Sequence, residues 1–155
     1  MGRGVRRLLG PRTACAAPHA VGFGVDLLSL ERFRRVSARE RGRRMVFHPA
    51  ELAYARTLGE SRRDEFLAGR FCAKEATAKA LGRGLGQGLG WRDIEVTRDA
   101  LGAPGVRLHG RAADLARELL VGRVTLSLSH QEGFVVCVAV AYAAPQGHLS
   151  PEVHS

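Results

Sequence analysis

The chain has 155 residues, of which 45% are hydrophobic and 25% are charged, and it carries a net charge of +9. These proportions are typical of a single globular domain and exclude wholesale disorder. The longest apolar run, 134–144, has 11 residues, whereas a helix that crosses a bilayer needs roughly 20, so the composition also excludes a membrane protein.

Both ends of the chain are predicted to lie outside the folded domain. Residues 1–20 carry four arginines and no acidic residue, and they lack the continuous apolar stretch of a secretory signal. We expect a disordered basic arm there, one domain over 21–142 and a flexible tail over 143–155. The three cysteines are odd in number and form no CxxC pair, which favours reduced thiols in a cytoplasmic protein over disulfides or a zinc site.

The pattern of apolar residues predicts an α+β fold. Alternation over 21–27 indicates a first strand, followed by three helices, two strands, a fourth helix and two final strands. The helices are predicted over 30–36, 49–58, 64–81 and 111–120, and the later strands over 94–97, 105–109, 124–130 and 134–142. Asp64 is expected to cap the long third helix. Short connections between the paired strands favour an antiparallel sheet packed on this helix.

The long helix carries the first candidate site. Lys74 and Lys79 are the only lysines among 24 basic residues, and a compact ammonium is poorly replaced by a planar guanidinium. Residues four apart share a helix face, so Arg70 neighbours Lys74, and Glu75 neighbours Lys79. This arrangement is either an ordinary solvated face or a charged face that borders a cleft. The second alternative arises because most of the helix consists of apolar and small residues, which pack against other elements.

Two further residues are candidates for the same site. Asp26 ends an otherwise apolar strand, where it is either a helix cap or a ligand for a hard cation such as Mg²⁺, with Glu75 as the second carboxylate. His130 lies at a strand end in Ser127-Leu-Ser-His130, where it is either structural or a hydrogen-bond donor to a phosphate.

Residues 32–44 contain seven arginines and one acidic residue, Glu40. The segment is either a solvated face or a docking patch for an acidic partner, whether protein or nucleic acid. A small basic nucleic-acid-binding protein is therefore an alternative function. That alternative leaves Asp26 and Glu75 unexplained, and the 6% aromatic content offers few surfaces on which bases could stack.

Two motifs resemble the signatures of one enzyme family. Gly24-Val-Asp26 is similar to the first signature of the 4′-phosphopantetheinyl transferases, and Phe71-Cys-Ala-Lys-Glu-Ala-Thr-Ala-Lys79 is similar to the second. Within that family, residues 21–142 most resemble the small holo-[acyl-carrier-protein] synthases. Gln131 departs from the family pattern, in which a small residue such as Thr follows the Ser-His pair.

The resemblance implies a homotrimer with active sites at subunit interfaces. It implies transfer of phosphopantetheine from coenzyme A to a serine of an acyl carrier protein, of fatty-acid or polyketide type, with release of adenosine 3′,5′-bisphosphate. Asp26 and Glu75 match the residues that bind Mg²⁺ in the family.

The remaining candidate residues then receive expected roles in this reaction. Lys79 and His130 are expected to stabilise the diphosphate oxygens, and Arg70 and Lys74 to hold phosphates. Glu75 is the expected base for the serine, either directly or through a metal-bound water. Because carrier proteins are acidic, Arg32 and Arg35, which lie about one helical turn apart, are the expected docking contacts.

Overall fold

A computed structural model of the chain describes residues 19–145, and its strands and helices form the α+β fold expected from the sequence. The strands are β1 (Ala20–Ser29), β2 (Ile94–Arg98), β3 (Pro104–Leu108), β4 (Val121–Gln131) and β5 (Phe134–Ala143). The helices are α1 (Leu30–Val36), α2 (Glu40–Val46), α3 (Pro49–Arg56), α4 (Glu60–Ala80) and α5 (Gly110–Glu118). Apart from 19–20 and 143–145, the predicted arm and tail lie outside the described residues.

Two helical segments differ from the prediction. Helix α2 was not expected, because it buries no residue and therefore has no apolar period that the sequence could reveal. Helix α4 begins at Glu60 with Gly59 as its N-cap, four residues before the expected start. Asp64 consequently lies inside the helix and does not cap it. Its Oδ2 atom accepts a hydrogen bond of 2.9 Å from Arg34 Nε instead.

The five strands form one antiparallel sheet in the order β1-β5-β4-β3-β2. The longest pairing joins β4 and β5 through a two-residue turn at Glu132 and Gly133, which have φ angles of 49° and 78°. Two consecutive positive φ values match the right-handed twist of a hairpin. The turn brings β5 between β1 and β4, so His130 and Asp26 lie on strands that flank the same neighbour.

Helix α4 crosses one face of the sheet and packs on β1 and β5, and the main hydrophobic core lies between them. The contact is close because β1 presents glycines to the helix. A Cβ atom at Gly22 or Gly24 would lie 2.0 Å from a backbone oxygen of α4, that of Ala80 or Ala76. Although α4 has 21 residues, no helix within 19–145 combines the length and apolar character needed to cross a membrane.

The opposite face of the sheet is apolar and has no covering element within the described residues. On β1 this face carries Val21, Phe23, Val25 and Leu27, with exposed fractions of 41–64%, and on β5 it carries the half-exposed Phe134. The register places Val136, Val138 and Val140 of β5 directly beside these β1 side chains. A contiguous apolar patch of this kind is typical of a surface that another molecule covers.

Candidate active site

Asp26 and Lys79 form the centre of the candidate site. Asp26 lies on the side of β1 that faces α4, and its side chain is only 16% exposed. Lys79 Nζ is 2.9 Å from Asp26 Oδ1 and donates a second hydrogen bond of 2.9 Å to the carbonyl oxygen of Val25. The last turn of α4 is thereby tied to the middle of β1.

Glu75 lies one turn before Lys79 on the same face of α4, partly buried beside Asp26. Burial raises the pKa of Glu75, and the negative charge of Asp26 raises it further, while Lys79 and Arg32 act in the opposite direction. The net shift is upward, so the two positive side chains do not fully offset the cost of holding both carboxylates in their ionised forms.

A cleft of about 330 Å³ opens beside the two carboxylates. It lies between β1, α1 and α4 and is lined by Asp26, Leu27, Leu28, Arg32, Phe33, Val36, Phe71 and Glu75. The charged groups lie among apolar side chains, in an environment where electrostatic interactions are stronger than in water.

The residues of this cleft fit a hard divalent cation. Asp26 and Glu75 supply carboxylate oxygens from two adjoining elements, and Mg²⁺ is commonly held by one or two carboxylates together with substrate phosphates. The raised pKa of Glu75 shows that the positive charge around it does not balance its burial and the charge of Asp26. A bound dication would supply the missing positive charge.

Arg70 and His130 lie nearer to the start of α4 than Glu75 does. His130 is exposed, and its Nε2 atom is 3.3 Å from the carbonyl oxygen of Glu65 and 3.3 Å from the position of a Cβ at Gly69. Arg70 is buried, with its guanidinium carbon 4.3 Å from the centre of the Phe66 ring, and burial lowers its pKa to about 10. Nε of Arg70 has no hydrogen-bond partner among the described residues.

One chain therefore carries two separate groups of site residues. Arg70 and Glu75 are five positions apart on α4, which corresponds to a rotation of about 140° around the helix axis. From Gly69, where His130 contacts the helix, to Lys79 the axis extends roughly 15 Å. The structure brings Asp26, Glu75 and Lys79 together, as expected, but it does not bring Arg70 and His130 to them.

Lys74 lies in the protein interior, with an exposed fraction of 0%. Its Nζ atom is 2.9 Å from Glu51 Oε2 and donates hydrogen bonds to the carbonyl oxygens of Trp91 and Ile94. Burial lowers the pKa of Lys74, whereas Glu51 raises it. The expected phosphate contact of Lys74 is thus replaced by a buried ion pair that joins α4, α3 and β2.

Sequence reasoning missed Glu51, the partner of Lys74. Its Oε1 atom also accepts a hydrogen bond of 2.8 Å from the backbone of Val96, and Oε2 accepts one of 2.7 Å from that of His48. Glu51 is the third helical residue after the N-cap His48, which is the position of the acidic residue in a capping box. The sequence therefore contained a signal for this residue.

The two expected docking arginines occupy different environments. Arg32 lines the cleft and its charge lowers the pKa of Glu75, so it lies close to the carboxylates. Arg35 is exposed and pairs with Glu31 at 2.9 Å, one turn away on the solvent side of α1. Gln131, the residue that departs from the family pattern, is the exposed last residue of β4.

Comparisons with known proteins decide the family of this chain. Residues 22–139 match the family model described as the 4′-phosphopantetheinyl transferase superfamily. The chain belongs to this superfamily. It is 48% identical over 118 residues to a holo-[acyl-carrier-protein] synthase of Moorella thermoacetica, with 76% of this chain and 90% of that protein covered.

Solved structures give the same result for the fold. A holo-[acyl-carrier-protein] synthase from Neisseria meningitidis has a TM-score of 0.72 and 33% identity, covering 79% of this chain and 98% of the other. One from Bacillus anthracis, in complex with CoA (3′,5′-ADP), has a TM-score of 0.69 and 33% identity, covering 83% and 100%. These similarities confirm both the family resemblance and the predicted fold class, and they do not favour the nucleic-acid-binding alternative.

Replacing Glu75 by glutamine is expected to stabilise the metal-free protein at neutral pH. Because the fold raises the Glu75 pKa above 4.5, the folded state holds this proton more tightly than the unfolded chain does. The contribution of Glu75 to stability is therefore fully present below pH 4.5 and is lost as the pH rises through its folded-state pKa, a loss that Glu75→Gln avoids. Urea unfolding in EDTA between pH 4.5 and 7 should give a gain that grows with pH.

The matched control is Glu118→Gln, which removes an exposed carboxylate whose pKa is lowered by its hydrogen bond with Arg111. This variant should show no such gain. A Glu75→Gln protein with wild-type stability over the whole range would contradict the view that the fold penalises the ionised form of Glu75.

Proposed function

We propose that this chain is a holo-[acyl-carrier-protein] synthase that transfers the 4′-phosphopantetheine group of coenzyme A to a serine of an apo acyl carrier protein. The domain over 21–142 carries the activity. The observation that carries this proposal is the Asp26, Glu75 and Lys79 cluster beside a cleft, in a chain whose relatives are named holo-[acyl-carrier-protein] synthases. Structures of relatives from Bacillus anthracis and Helicobacter pylori are described as complexes with CoA, which supports coenzyme A as the donor.

The chemistry needs positive charge near the diphosphate of coenzyme A, since anionic oxygens shield its phosphorus atoms. Asp26 and Glu75 would hold Mg²⁺, which supplies charge neutralisation for these oxygens. Lys79, which pairs with Asp26, adds a second positive contribution, and Arg32 in the cleft lining adds a third.

Glu75 is the group that accepts the proton of the attacking serine, directly or through a water molecule. The serine oxygen forms a bond to the β-phosphorus, the bond from this phosphorus to the bridging oxygen breaks, and adenosine 3′,5′-bisphosphate leaves. Glu75 suits this role because its carboxylate lines the cleft beside Asp26.

Arg70 and His130 bind and stabilise phosphate oxygens from a neighbouring subunit. In one chain they lie on another side of α4 from Asp26 and Glu75, so a complete site requires two copies of the chain. Arg70 is suited to phosphate binding because its buried guanidinium has a donor, Nε, without a partner among the described residues.

The apolar sheet face supports the homotrimer that we propose for this enzyme. Phe23 and Leu27 on β1 are more than 60% exposed, and they adjoin the valines of β5. A second and third copy packed on these faces would remove the patch from water and bring the two groups of site residues towards each other across subunit boundaries. Cys72 and Cys137 are free thiols, which agrees with a cytoplasmic enzyme.

We propose that the acidic carrier protein docks on the arginine-rich segment 32–44 beside the cleft. Arg35 supplies charge on the outer side of α1, while Arg32 extends the same positive surface to the carboxylates. Complementary charge of this kind raises the rate of association more than it raises intrinsic affinity.

The proposed function predicts Mg²⁺-dependent labelling of an apo carrier protein by coenzyme A. Asp26→Ala and Glu75→Ala should each lower turnover by at least about 10²-fold, or roughly 3 kcal/mol of transition-state stabilisation. Asp114→Ala, which removes an exposed carboxylate on α5, is the matched control and should keep wild-type turnover. If Asp26→Ala or Glu75→Ala kept more than a tenth of the wild-type turnover, the assignment of the two carboxylates would be wrong.

The shared site predicts complementation between two inactive variants. In mixed trimers of Asp26→Ala and His130→Ala, about one quarter of the interfaces combine an intact Asp26 with an intact His130 from the neighbour. Coexpression of the two should therefore restore about a quarter of wild-type turnover. Asp26→Ala with Glu75→Ala is the control, because both changes affect the same group and no interface regains a complete set. Equal turnover of the two mixtures would contradict a shared site.

The docking surface predicts a selective effect of Arg35→Glu. The KM for the carrier protein should rise roughly fivefold at low ionic strength, and the KM for coenzyme A should stay unchanged. The wild-type KM for the carrier should also rise between about 0.1 M and 1 M salt, because the Debye length falls from about 10 Å to about 3 Å. Arg117→Glu on α5 is the matched charge reversal, and an equal rise for this variant would mean that only net charge matters.

A further inference from the structure

Two histidines and one glutamate converge at the edge of the fold where β2 lies. His48, Glu95 and His109 each offer one ligand atom, and these atoms lie within 4.8 Å of one another. His109 Nε2 is 2.8 Å from Glu95 Oε2, and His48 Nδ1 is 3.8 Å from Glu95 Oε1, so the carboxylate lies between the two imidazoles. The rings are stacked, with 5.3 Å between their centres and 7° between their planes.

Three separate elements bring these side chains together. His48 is the N-cap of α3, His109 is the N-cap of α5, and Glu95 lies in β2 with a side chain that is only 7% exposed. The residues span 62 positions without a recognised ligand spacing, so no sequence pattern indicates the cluster. The sheet order puts β2 at the opposite edge from β1, which carries Asp26.

The distances suit a tetrahedral metal ion. At metal–ligand distances of about 2.0–2.1 Å, two ligand atoms at a tetrahedral angle lie about 3.4 Å apart. The two observed nitrogen–oxygen distances, 2.8 Å to Oε2 and 3.8 Å to Oε1, lie on either side of this value. Because an imidazole nitrogen binds a metal in the plane of its ring, the two stacked rings must also rotate towards one common ion. Within residues 19–145, the hydrogen bond that His48 Nδ1 would give up is a long one of 3.5 Å, from the backbone N–H of Ala50.

A further positive side chain contacts the carboxylate of Glu95. Arg107, which is 3.3 Å from Glu95 Oε2, has a 65% exposed side chain and can turn into solvent when a cation binds.

We propose that His48, Glu95 and His109 form a binding site for a divalent transition metal such as Zn²⁺. Two imidazoles and one carboxylate are a ligand set that Zn²⁺ and its neighbours in the first transition series favour, whereas Mg²⁺ prefers oxygen ligands alone. A water molecule fills the fourth position. The ion joins the starts of α3 and α5 to β2, and it acts as a structural clip separate from the Asp26 and Glu75 cluster.

Visible absorption of the Co²⁺-loaded full-length chain, prepared without a histidine tag, tests this site. Tetrahedral Co²⁺ absorbs far more strongly than octahedral Co²⁺, so one equivalent bound to the wild type should give intense visible bands. His48→Thr and His109→Asn should bind Co²⁺ more than about 100-fold more weakly. Both replacements are good N-cap residues, so α3 and α5 keep their starts.

Controls separate this site from other metal-binding groups of the chain. Asp26→Ala, which alters the proposed Mg²⁺ cluster, and His19→Asn, which removes an exposed histidine elsewhere, should both keep the bands. Zn²⁺ should raise the Tm of the wild type and leave that of His109→Asn unchanged. Mg²⁺ should have the same effect on the Tm of both proteins.

Two outcomes would overturn the proposal. The first is a wild type without intense bands at a tenfold excess of Co²⁺. The second is a folded His48→Thr or His109→Asn protein, verified by circular dichroism, that keeps the wild-type bands and affinity. If one variant fails to fold, the other decides, because each removes one of only three protein ligands.

Discussion

The close contact between β1 and α4 is the constraint on which the candidate site depends. Gly22 and Gly24 bring the strand backbone directly against the helix, since a Cβ at either position would lie 2.0 Å from a helix carbonyl oxygen. Asp26 follows on the same face of the strand and therefore meets α4 at the turn that carries Glu75 and Lys79. A larger residue at Gly24 would push β1 away from α4 and move the Asp26 and Glu75 carboxylates apart, even if both residues were retained.

The same geometry accounts for the proposal that a site is completed by another subunit. Because α4 covers only one face of the sheet, the side chains of β1 that alternate with Gly24 and Asp26 point away from the helix and leave Phe23 and Leu27 exposed. The strand that carries Asp26 on one face thus carries an exposed apolar surface on the other. An assembly through this surface would place each cleft near a subunit boundary, where Arg70 and His130 of a neighbour could reach it.

The sequence predicted the features that follow from local periodicity. The expectation that Asp26 and Glu75 share a site came from carboxylate chemistry and from the family resemblance. Strand alternation and the four-residue helix period placed Asp26 on a strand and Glu75 beside Lys79. They could not show which side of a largely apolar helix faces the interior, so Lys74 was expected at the cleft and lies in the core. The cluster of His48, Glu95 and His109 depends on tertiary contacts between three elements, and no local pattern indicates it.

The two lysines of this arginine-rich chain have a common physical explanation even though their environments differ. The ammonium of Lys74 has three N–H donors, and Glu51 and the carbonyl oxygens of Trp91 and Ile94 provide three acceptors. Lys79 likewise contacts a carboxylate and a carbonyl oxygen through one small group. A planar guanidinium with five donors would leave N–H groups unpaired in the buried site of Lys74. The rotation of α4 about its axis decides which of the two ammonium groups lies in the core and which lies beside Asp26.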